Sequence, residues 1–523
     1  MTESRPMTAR AHVAVLGGGL AGITAAIARA EQGKQVTLLE ARPRLGGATT
    51  SFTRGDLVID NGQHVFLRCC TAYRGLLARL GVTGSVNLQD RFDVTVLRPG
   101  GRATLRRTGL PGPLHMGRAL AGYSHLSYAE RLRVVPAALG MALLDPGRPD
   151  LDGKRLGDWL ATRGQGERAR RNLWDLFTVS SLNVAGDDAN LALAATVVKT
   201  ALLGAKDAAD IGIPAVPLGD LHGRAGAELL GRLGAQVRLG AKAGAVEALP
   251  SGGFLVRLAD PGQAAGNGGG DVIRADGVVL AVPPDVAAKL WCWPGGTQRP
   301  SGDTPEPPMA RTPPMPAAAA GISPNGQSGN GSGPWGGLGS SPIVNVHVVY
   351  DRRVTRLPFA AAVDSPVQWV FDRTGPSGLR KGQYLAVSLS AADRYVDVPA
   401  ARMCEEFTEA LADLFPAVAQ ARVVDCFVTR ERRATFRQEP GCERLRPQAK
   451  TAVPGLVLAG AWTDTGWPDT MEGAVRSGLN AARELRRALT GDPALRWGSA
   501  RSGPAQSPAQ ADLAQERVPG GPA

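Results

Sequence analysis

Cysteine is scarce in this chain of 523 residues, and its six cysteines are scattered. None of them forms a C-x-x-C pair, which excludes the common zinc-ribbon and thioredoxin-like patterns. Scattered cysteines in a large chain are typical of a reducing compartment, and we expect them to be small buried core residues. No metal site is predicted. The cysteines are Cys69, Cys70, Cys292, Cys404, Cys426 and Cys442.

Long runs of basic residues are also absent, although the formal net charge is +12. Arginine supplies most of the positive charge, and basic residues do not alternate with aromatic ones. Nucleic-acid-binding proteins usually show such patterns, so nucleic acid is not expected as a partner. An anionic membrane surface and a generally basic proteome both stay open as explanations of the charge.

No hydrophobic run has the composition of a transmembrane helix. The longest candidate, residues 11–28, is uncharged, but four glycines interrupt it and a strand-like half precedes a helix-like half. We interpret it as a buried strand followed by a helix, not as a membrane span or signal segment. We expect a cytoplasmic protein, and peripheral contact with the inner membrane stays open.

The beginning of the chain predicts a β-α-β unit. The apolar run His12 to Leu16 predicts a buried strand, and the alanine-rich stretch from Gly22 to Glu31 predicts a helix that Gly33 ends. The run Gln35 to Leu39 predicts the next strand. Strand, turn and helix in this order are the context in which a glycine-rich loop binds a dinucleotide.

The loop between this strand and helix has the spacing G-x-G-x-x-G. Gly17 permits the tight turn, Gly19 lets the backbone approach a pyrophosphate, and Gly22 lets the helix pack closely on the strand. Glu40 closes the second strand, where a carboxylate accepts hydrogen bonds from ribose hydroxyls and repels a 2′-phosphate. The pattern predicts a dinucleotide other than NADP at the helix N-terminus.

Two further segments favour FAD over NAD. After Glu40 come Arg44 and the pair Gly46 and Gly47, which suit a backbone passing close to phosphate and isoalloxazine. Near the other end, the strand-like LVLAG precedes a predicted helix that starts around Thr470. The positive end of that helix would stabilise the anion of a reduced flavin at N1–C2.

The extension E-x-x-x-R-x-G-G resembles the FAD signature of the amine oxidase and phytoene desaturase superfamily. Three longer motifs narrow the resemblance: D-N-G-Q-H at 60–64, I-V-N-V-H at 343–347 and W-T-D-T-G-W-P-D-T-M-E-G-A at 462–474. Together they resemble the squalene-associated FAD-dependent desaturase-like family, the hydroxysqualene dehydroxylases of bacterial hopanoid pathways. Ala48 and Ala461 depart from it, because members usually have an arginine and an acidic residue there.

This resemblance implies an α/β fold in which a Rossmann-type FAD-binding domain is interleaved with an α+β substrate domain. The predicted FAD-binding segments are residues 10–97, 224–294 and 429–491. The predicted substrate domain comprises residues 98–223, mainly helical, and 341–428, mainly sheet. Residues 295–340 are rich in proline, glycine and serine, and like the tail 492–523 they are expected to be disordered.

The resemblance also implies which residues bind FAD. They are Gly17, Gly18, Gly19, Leu20, Ala21, Gly22, Glu40, Ala41, Arg42, Arg44, Gly46, Gly47, Val246, Gly460, Glu472, Gly473 and Ala474. The implied reaction is a reductive dehydroxylation of an isoprenoid lipid, hydroxysqualene, which becomes squalene when reduced flavin supplies hydride. One dinucleotide fingerprint and no second is found, so the electron donor is not identified.

The departing hydroxyl needs a proton donor, for which the candidates are His64, Asp464 and Glu472. Each has a structural alternative, since a histidine often bonds backbone and a carboxylate often caps a helix. Tryptophans can line the cavity and steady a carbocation through their π faces, although core packing is their more common role. The substrate candidates are Trp369, Trp462 and Trp467.

Residues 98–223 are expected to build a tunnel for the lipid. Within them, residues 127–144 mix arginine with apolar residues, as membrane-surface helices do, and an ordinary packed helix explains the pattern equally well. Rival functions are a carotenoid desaturase, an amine oxidase with Lys199 or Lys381 near the flavin, and a non-catalytic flavoprotein in a lipid-pathway complex.

Overall fold

The structure, a computed structural model, describes residues 10–112, 114–259, 271–291 and 335–490. The tail predicted at 492–523 lies outside these ranges, as does most of the predicted insertion. In chain order, the helices are α1 (Leu20–Ala30), α2 (Thr71–Leu80), α3 (Gly117–Ala121), α4 (Tyr128–Leu143), α5 (Pro149–Asp152), α6 (Leu156–Ala161), α7 (Glu167–Ala169), α8 (Asp175–Leu182), α9 (Leu191–Val198), α10 (Ala225–Arg232), α11 (Pro284–Leu290), α12 (Thr374–Ser377), α13 (Ala400–Leu414) and α14 (Met471–Thr490).

A five-stranded parallel sheet forms the centre of the nucleotide-binding half. Its strands lie in the order Gln236–Leu239, Gln35–Glu40, His12–Leu16, Gly277–Leu280 and Leu456–Leu458. Apart from the edge strand Gln236–Leu239, the strands are short runs of mostly buried apolar residues, as expected of a sheet covered on both faces. Parallel strands end at a common edge, so the loops after Leu16, Glu40, Leu280 and Leu458 meet there.

Small residues let α14 pack directly on α1. A Cβ at Gly478 would lie 2.3 Å from the Ala21 carbonyl oxygen, so the two helices touch through their backbones. The last helix is thereby fixed beside the first, and the C-terminal strand lies in the same sheet as the N-terminal one. The nucleotide-binding half is built from both ends of the chain.

The sequence pattern of residues 236–249 is that of one continuous strand, but the structure has two strands there. Gln236–Leu239 belongs to the parallel sheet, and Ala243–Ala248 begins a separate three-stranded sheet with Phe254–Leu258 and Val272–Ala275. Between them Gly240 adopts a φ of +68° and donates its N–H to the Arg42 carbonyl. This glycine turn breaks the strand, although the residue pattern on its two sides is continuous.

A seven-stranded sheet dominates the other half. Its strands lie in the order Val423–Thr435, Ser341–Tyr350, Gln383–Leu389, Trp369–Asp372, Phe359–Ala362, Asp93–Arg98 and Gly101–Arg106. The predicted domain boundary at residues 97 and 98 falls inside the last hairpin, and the one at 428 and 429 falls inside the first strand. A strand's local pattern does not show which sheet it joins. The sequence therefore could not show that each boundary divides a strand of this sheet.

The two faces of this sheet have different partners. Val344, Val346 and Val348 pack with Met403 and Phe407 of α13 in one buried cluster. Asn345 and His347 alternate with these valines and therefore lie on the opposite face, toward the nucleotide-binding half. Two small sheets complete that side: Ser51–Arg54 with Leu57–Asp60, and Phe66–Leu67, Ile211–Pro214 and Val86–Leu88.

A largely helical unit extends from α3 to α9 and shares a buried core with the inner face of the seven-stranded sheet. Three stretches have wider helical turns. Arg170–Trp174 joins α7 to α8, Lys199–Leu203 extends α9, and Gly219–Arg224 leads into α10. Helix α4 begins with a capping box, in which Ser127 Oγ accepts the Glu130 N–H and Glu130 accepts the Ser127 N–H. In the part of the chain that is described, no helix combines the length and apolarity needed to cross a bilayer.

Two sequence expectations need correction. Cys404 of α13 and Cys426 of the adjacent strand form a disulfide with Cα atoms 5.9 Å apart, whereas the spacing had suggested unpaired core cysteines. Their sequence separation of 22 shows no motif, because the pairing arises only when the helix packs on the sheet. The predicted disorder of residues 295–340 does not hold for residues 335–340, where Leu338 is buried and Trp335 packs on Trp462.

Candidate flavin site and redox centre

The glycine loop at the edge of the parallel sheet forms a backbone cradle. Gly17 has a φ of +107°, and a Cβ there would lie 2.2 Å from the Ala281 carbonyl oxygen. A Cβ at Gly22 would lie 1.9 Å from the Gly17 carbonyl oxygen, so both positions require glycine. At Gly19 the nearest described atom outside its chain neighbours would be Gly47 Cα, 3.9 Å from an added Cβ. The space next to Gly19 is therefore open.

The N-terminus of α1 opens onto this space without a cap. Gly19 is the N-cap residue, it supplies no side-chain hydrogen bond, and the first turn contains no acidic residue. The free N–H groups of the first turn and the positive end of the helix dipole therefore suit the pyrophosphate of a dinucleotide. The residues present fit the cofactor that the sequence predicted, with Leu20 and Ala21 in that first turn.

Glu40 has a second function in addition to the predicted one. Its Oε2 accepts the Gly18 N–H at 2.7 Å, and its Oε1 accepts the Arg42 N–H at 2.8 Å. The carboxylate thus holds the glycine loop and the following turn together. Each oxygen keeps a further lone pair, so hydrogen bonds from ribose hydroxyls remain compatible with this arrangement.

The second glycine pair packs on the first loop. The Gly46 N–H donates to the Gly18 carbonyl at 2.8 Å, and a Cβ at Gly47 would lie 2.9 Å from Gly19 Cα. The Arg44 guanidinium donates to Thr50 Oγ1, and the exposed Ala41 lies in the turn between the two loops. Val246 is placed differently, in the interior of the three-stranded sheet opposite Val256. All these positions stay predictions as FAD contacts.

The C-terminal segment closes the cradle beside Leu458. Gly460 has a φ of +142° and donates its N–H to Ser477 Oγ of α14. Gly473 and Ala474 lie in the first turn of α14, and a Cβ at Gly473 would meet the Pro468 carbonyl oxygen at 2.4 Å. Small residues are thus required where the loop before α14 folds back onto the helix.

Glu472 does not point its carboxylate into a cavity. It is buried, its two oxygens accept the Ala72 and Tyr73 N–H groups at 3.2 and 2.7 Å, and it pairs with Arg476 at 2.7 Å. It therefore caps the N-terminus of α2 from a distant part of the chain. A carboxylate so fully engaged has a structural role, which argues against Glu472 as the proton donor.

Asp464 likewise has a structural role in a turn. Its carboxylate accepts hydrogen bonds from Gln448 Nε2 at 2.6 Å and from the Gly466 N–H at 3.1 Å. Neither bond connects it to the buried interior. The Asp464 side chain therefore turns outward, which argues against it as the proton donor.

His64 is the predicted catalytic residue that faces an interior cavity. The cavity is small, and Asp60, Gln63, Phe371 and Arg373 line it together with His64. Asp60 and Arg373 form a buried ion pair at 2.7 Å. Burial lowers the pKa of His64, so the imidazole is neutral near pH 7. It therefore serves as a hydrogen-bonding group rather than as a proton donor.

A second buried histidine lies next to this cluster. His222 Nε2 is 2.8 Å from the Tyr73 hydroxyl oxygen, and Tyr73 is the residue whose N–H Glu472 accepts. Burial, followed by the charge of His64, lowers the pKa of His222 to about 3. A neutral histidine–tyrosine pair thus connects the capped α2 to the cavity. No sequence motif marks His222, because no other candidate site residue stands near it in the chain.

The three predicted tryptophans have three different environments. Trp369 lies on the inner face of the seven-stranded sheet and stacks with Phe359 and Phe371, with ring centroids 6.2 and 6.3 Å apart. Trp462 is buried and donates its Nε1–H to the Val282 carbonyl, which is a core role. Trp467 packs beneath the Arg476 guanidinium at 4.5 Å. Trp369 alone contacts the aromatic wall next to the cavity.

Three further polar residues, which the sequence did not single out, lie on the inner sheet face or in and around the loop before α14. Asn345 is buried on the inner sheet face, and its Oδ1 has no hydrogen-bond partner among the described residues. Arg446 is buried and donates to the carbonyls of Ala461, Thr463 and Trp467, so it shapes the loop before α14. An inward polar residue within an alternating strand was the signal available for Asn345.

The third is Asp469, inside the W-P-D-T-M-E-G-A motif. Its Oδ2 accepts the Phe436 N–H at 3.0 Å, and its own N–H donates to Gln438 Oε1 at 3.0 Å. Burial raises the pKa of Asp469 to about 6, an effect that the Phe436 N–H and the charge of Arg446 reduce. A fraction of this carboxyl therefore carries a proton near neutral pH, as a general acid requires.

Known proteins match nearly the whole chain. The hydroxysqualene dehydroxylase of Rhodopseudomonas palustris is 29% identical over 90% of this chain and 97% of its own length, and the maize zeta-carotene desaturase is 24% identical over 89% and 82%. The crystal structure of an oxidoreductase from Methanosarcina mazei superimposes with a TM-score of 0.64 at 15% identity, covering 90% of this chain and 100% of that one.

These findings confirm the fold class, the resemblance and the cofactor predicted from the sequence. A model of the flavin-containing amine oxidoreductases matches residues 20–486, which include α1, the inner sheet face and most of α14. With the uncapped helix and the glycine cradle, this match identifies an FAD-dependent oxidoreductase. The chain belongs to the family of flavin-containing amine oxidoreductases.

Proposed function

We propose that the chain carries out the reductive dehydroxylation of hydroxysqualene to squalene in squalene and hopanoid biosynthesis. The observation that supports this proposal most directly is the lining of a narrow crevice, where Phe371, Ile213 and Leu218 lie beside His64 and the buried Asp60–Arg373 pair. An apolar wall next to buried, fully paired charges is suited to an isoprenoid chain that carries one polar group. The similarity to hydroxysqualene dehydroxylase over 97% of its length supports this substrate class.

The proposed reaction breaks the allylic C–O bond and forms a C–H bond. Reduced FAD, when bound, supplies the hydride. The side chains Phe359, Trp369 and Phe371 hold the apolar chain and exclude water, and their π faces stabilise positive charge on the allylic carbon as the C–O bond breaks. The hydroxyl leaves as water after it accepts a proton, so one hydride and one proton are consumed per turnover.

We assign the proton to the Asp469 carboxyl. It lies in the loop that leads into α14, its backbone is anchored to Gln438, and one carboxyl oxygen is fixed by the Phe436 N–H. The neutral His64 and Asn345 both lie next to Gly62, at 3.5 and 3.6 Å from the position of an added Cβ. They are positioned to hydrogen-bond a polar substrate group without introducing charge.

The contacts of the two candidate lysines weaken the amine-oxidase alternative. Lys199 donates its Nζ–H to the Leu144 carbonyl at the end of α4, and Lys381 is exposed in a turn. Neither occupies the inner cavity. A carotenoid desaturase would use the same apolar wall in the oxidising direction, so the direction of electron flow distinguishes the two functions.

The decisive experiment is anaerobic. The purified holoenzyme is reduced, hydroxysqualene is added, and flavin absorption and squalene are followed together. We expect reoxidation of the flavin with one squalene formed per flavin. Oxidised enzyme that dehydrogenates phytoene, with no reaction of reduced enzyme with hydroxysqualene, would establish the desaturase instead. Protein without flavin absorption after incubation with FAD would support the non-catalytic alternative.

A further inference from the structure

Helix α4 is apolar on two opposite faces. One face is buried in the helical core through Val134, Ala137 and Met141. The other face is exposed, and its side chains recur every three or four residues, which confines them to an arc of about 80° at 100° per residue. The exposed residues are Tyr128, Leu132, Val135, Leu139 and Leu143, with 73% of Tyr128 and 87% of Leu143 accessible.

Two further exposed leucines extend this surface. Leu110 and Leu114 lie in the loop before α3. This loop packs closely on Gly204, since a Cβ added at Gly112 would lie 2.1 Å from the Gly204 carbonyl oxygen. Lys199, in the same Lys199–Leu203 segment, hydrogen-bonds the carbonyl at the C-terminal end of α4. One segment thus supports both the loop and the helix. We name the seven exposed residues of the loop and of α4 the apolar face.

Positive charge borders the apolar face. A cavity of about 550 Å³ is lined by Arg91, Arg106, Arg107 and Arg118. Its lining residues 108–109 directly precede Leu110, and its lining residues 118–119 lie in α3, which follows the loop. Arg106 pairs with Asp93 and Arg107 with Asp210, whereas Arg91 and Arg118 form no ion pair with any described residue. Two guanidinium groups beside the leucines are therefore available to an anion.

We propose that the apolar face inserts into an anionic phospholipid surface, with headgroup phosphates in the arginine-lined cavity. Large exposed apolar patches on a folded chain are sites of interaction, and a helix with apolar residues on two opposite faces can pack only one of them on its own core. A protein partner would not require the unpaired arginines, whereas an anionic bilayer matches both the leucines and the charge. With 16 residues, α4 lies in the plane of the bilayer surface.

Vesicle sedimentation tests this proposal without the enzymatic reaction. Full-length holoenzyme is mixed with vesicles of phosphatidylcholine alone or with phosphatidylglycerol added. We expect binding to the anionic vesicles that weakens as salt is raised. The combined variant Leu132→Glu, Leu139→Glu, Leu143→Glu should bind about a hundredfold more weakly or worse. The pair Arg91→Glu, Arg118→Glu should lose the preference for phosphatidylglycerol.

Val424→Glu is the matched control, because Val424 is an exposed apolar residue of the seven-stranded sheet outside the apolar face. This variant should sediment with the anionic vesicles as the wild type does. Flavin absorption shows that each variant is folded and carries FAD. Wild type that stays in the supernatant at low salt would overturn the proposal. Equal binding by the triple leucine variant would also overturn it, as would a concentration-dependent dimer that this variant abolishes in place of vesicle binding.

Discussion

The two large sheets of this molecule assemble in opposite ways. The parallel sheet takes two adjacent strands from one β-α-β unit, and its glycine loop is complete within residues 17–22. The seven-stranded sheet joins a hairpin near residue 100 to strands beyond residue 340. The first sheet exposes backbone N–H groups for a phosphate, and the second presents side chains to a substrate. The phosphate-binding loop is thus encoded locally, whereas the proposed substrate wall depends on long-range packing.

The largest expected effect tests the local element. Gly19→Val should abolish FAD binding, because the nearest described atom is 3.9 Å from the added Cβ, so the fold accepts the side chain while the pyrophosphate space is filled. The flavin-to-protein absorbance ratio should fall to about a tenth or less. Gly231→Val in α10, where an added Cβ meets nothing within 4 Å, is the control and should stay yellow. A yellow Gly19→Val protein at full stoichiometry would contradict the cradle.

The next effect tests a residue fixed by long-range contacts. Asp469→Asn should lower the turnover of hydroxysqualene by about a hundredfold while flavin content is retained, since it removes the general acid. Because the raised pKa of Asp469 is about 6, wild-type turnover should fall as the pH rises through that value, and this limb should vanish in the variant. An unchanged pH profile in the variant would assign the proton to another group.

A smaller effect separates structure from catalysis at α14. Glu472→Gln should lower the free energy of unfolding by about 2 kcal/mol, because a neutral amide caps α2 less well and leaves Arg476 without its partner. Thermal unfolding of the holoenzyme measures this change. Turnover per bound flavin should stay within about twofold of the wild type. A large loss of turnover with unchanged stability would restore Glu472 as a catalytic group.

The smallest effect concerns the helical unit that connects the sheets. Burial, followed by the charge of Asp187, raises the pKa of Asp175 to about 7. An acid whose folded pKa is raised loses stability as the pH rises from its unfolded pKa of about 4 through about 7. Asp175→Asn should therefore raise the free energy of unfolding by about 1 kcal/mol or more near pH 8 and change it little near pH 4. Equal melting shifts at both pH values would contradict this.

The contrast between the sheets also explains what the sequence could predict. The β-α-β unit, the glycine loop and the helix at Met471 follow from neighbours in sequence, and the structure contains all three. The ion pair of Asp60 with Arg373 joins residues 313 positions apart, and no local pattern reports it. Glu472 shows the same limit, since its motif predicted the helix but not that α2 would occupy its carboxylate.

The position of the last strand has a consequence for biosynthesis. Leu456–Leu458 pairs with Gly277–Leu280, and Glu472 caps a helix made some 400 residues earlier. While the ribosome is still translating the middle of the gene, the nascent N-terminal unit has neither its final neighbour nor that cap. Domains generally fold in order of synthesis, but this one stays incomplete until its carboxyl end emerges. We therefore expect the vitamin-derived prosthetic group to be loaded after translation, and a stop codon before Leu456 should yield a colourless product.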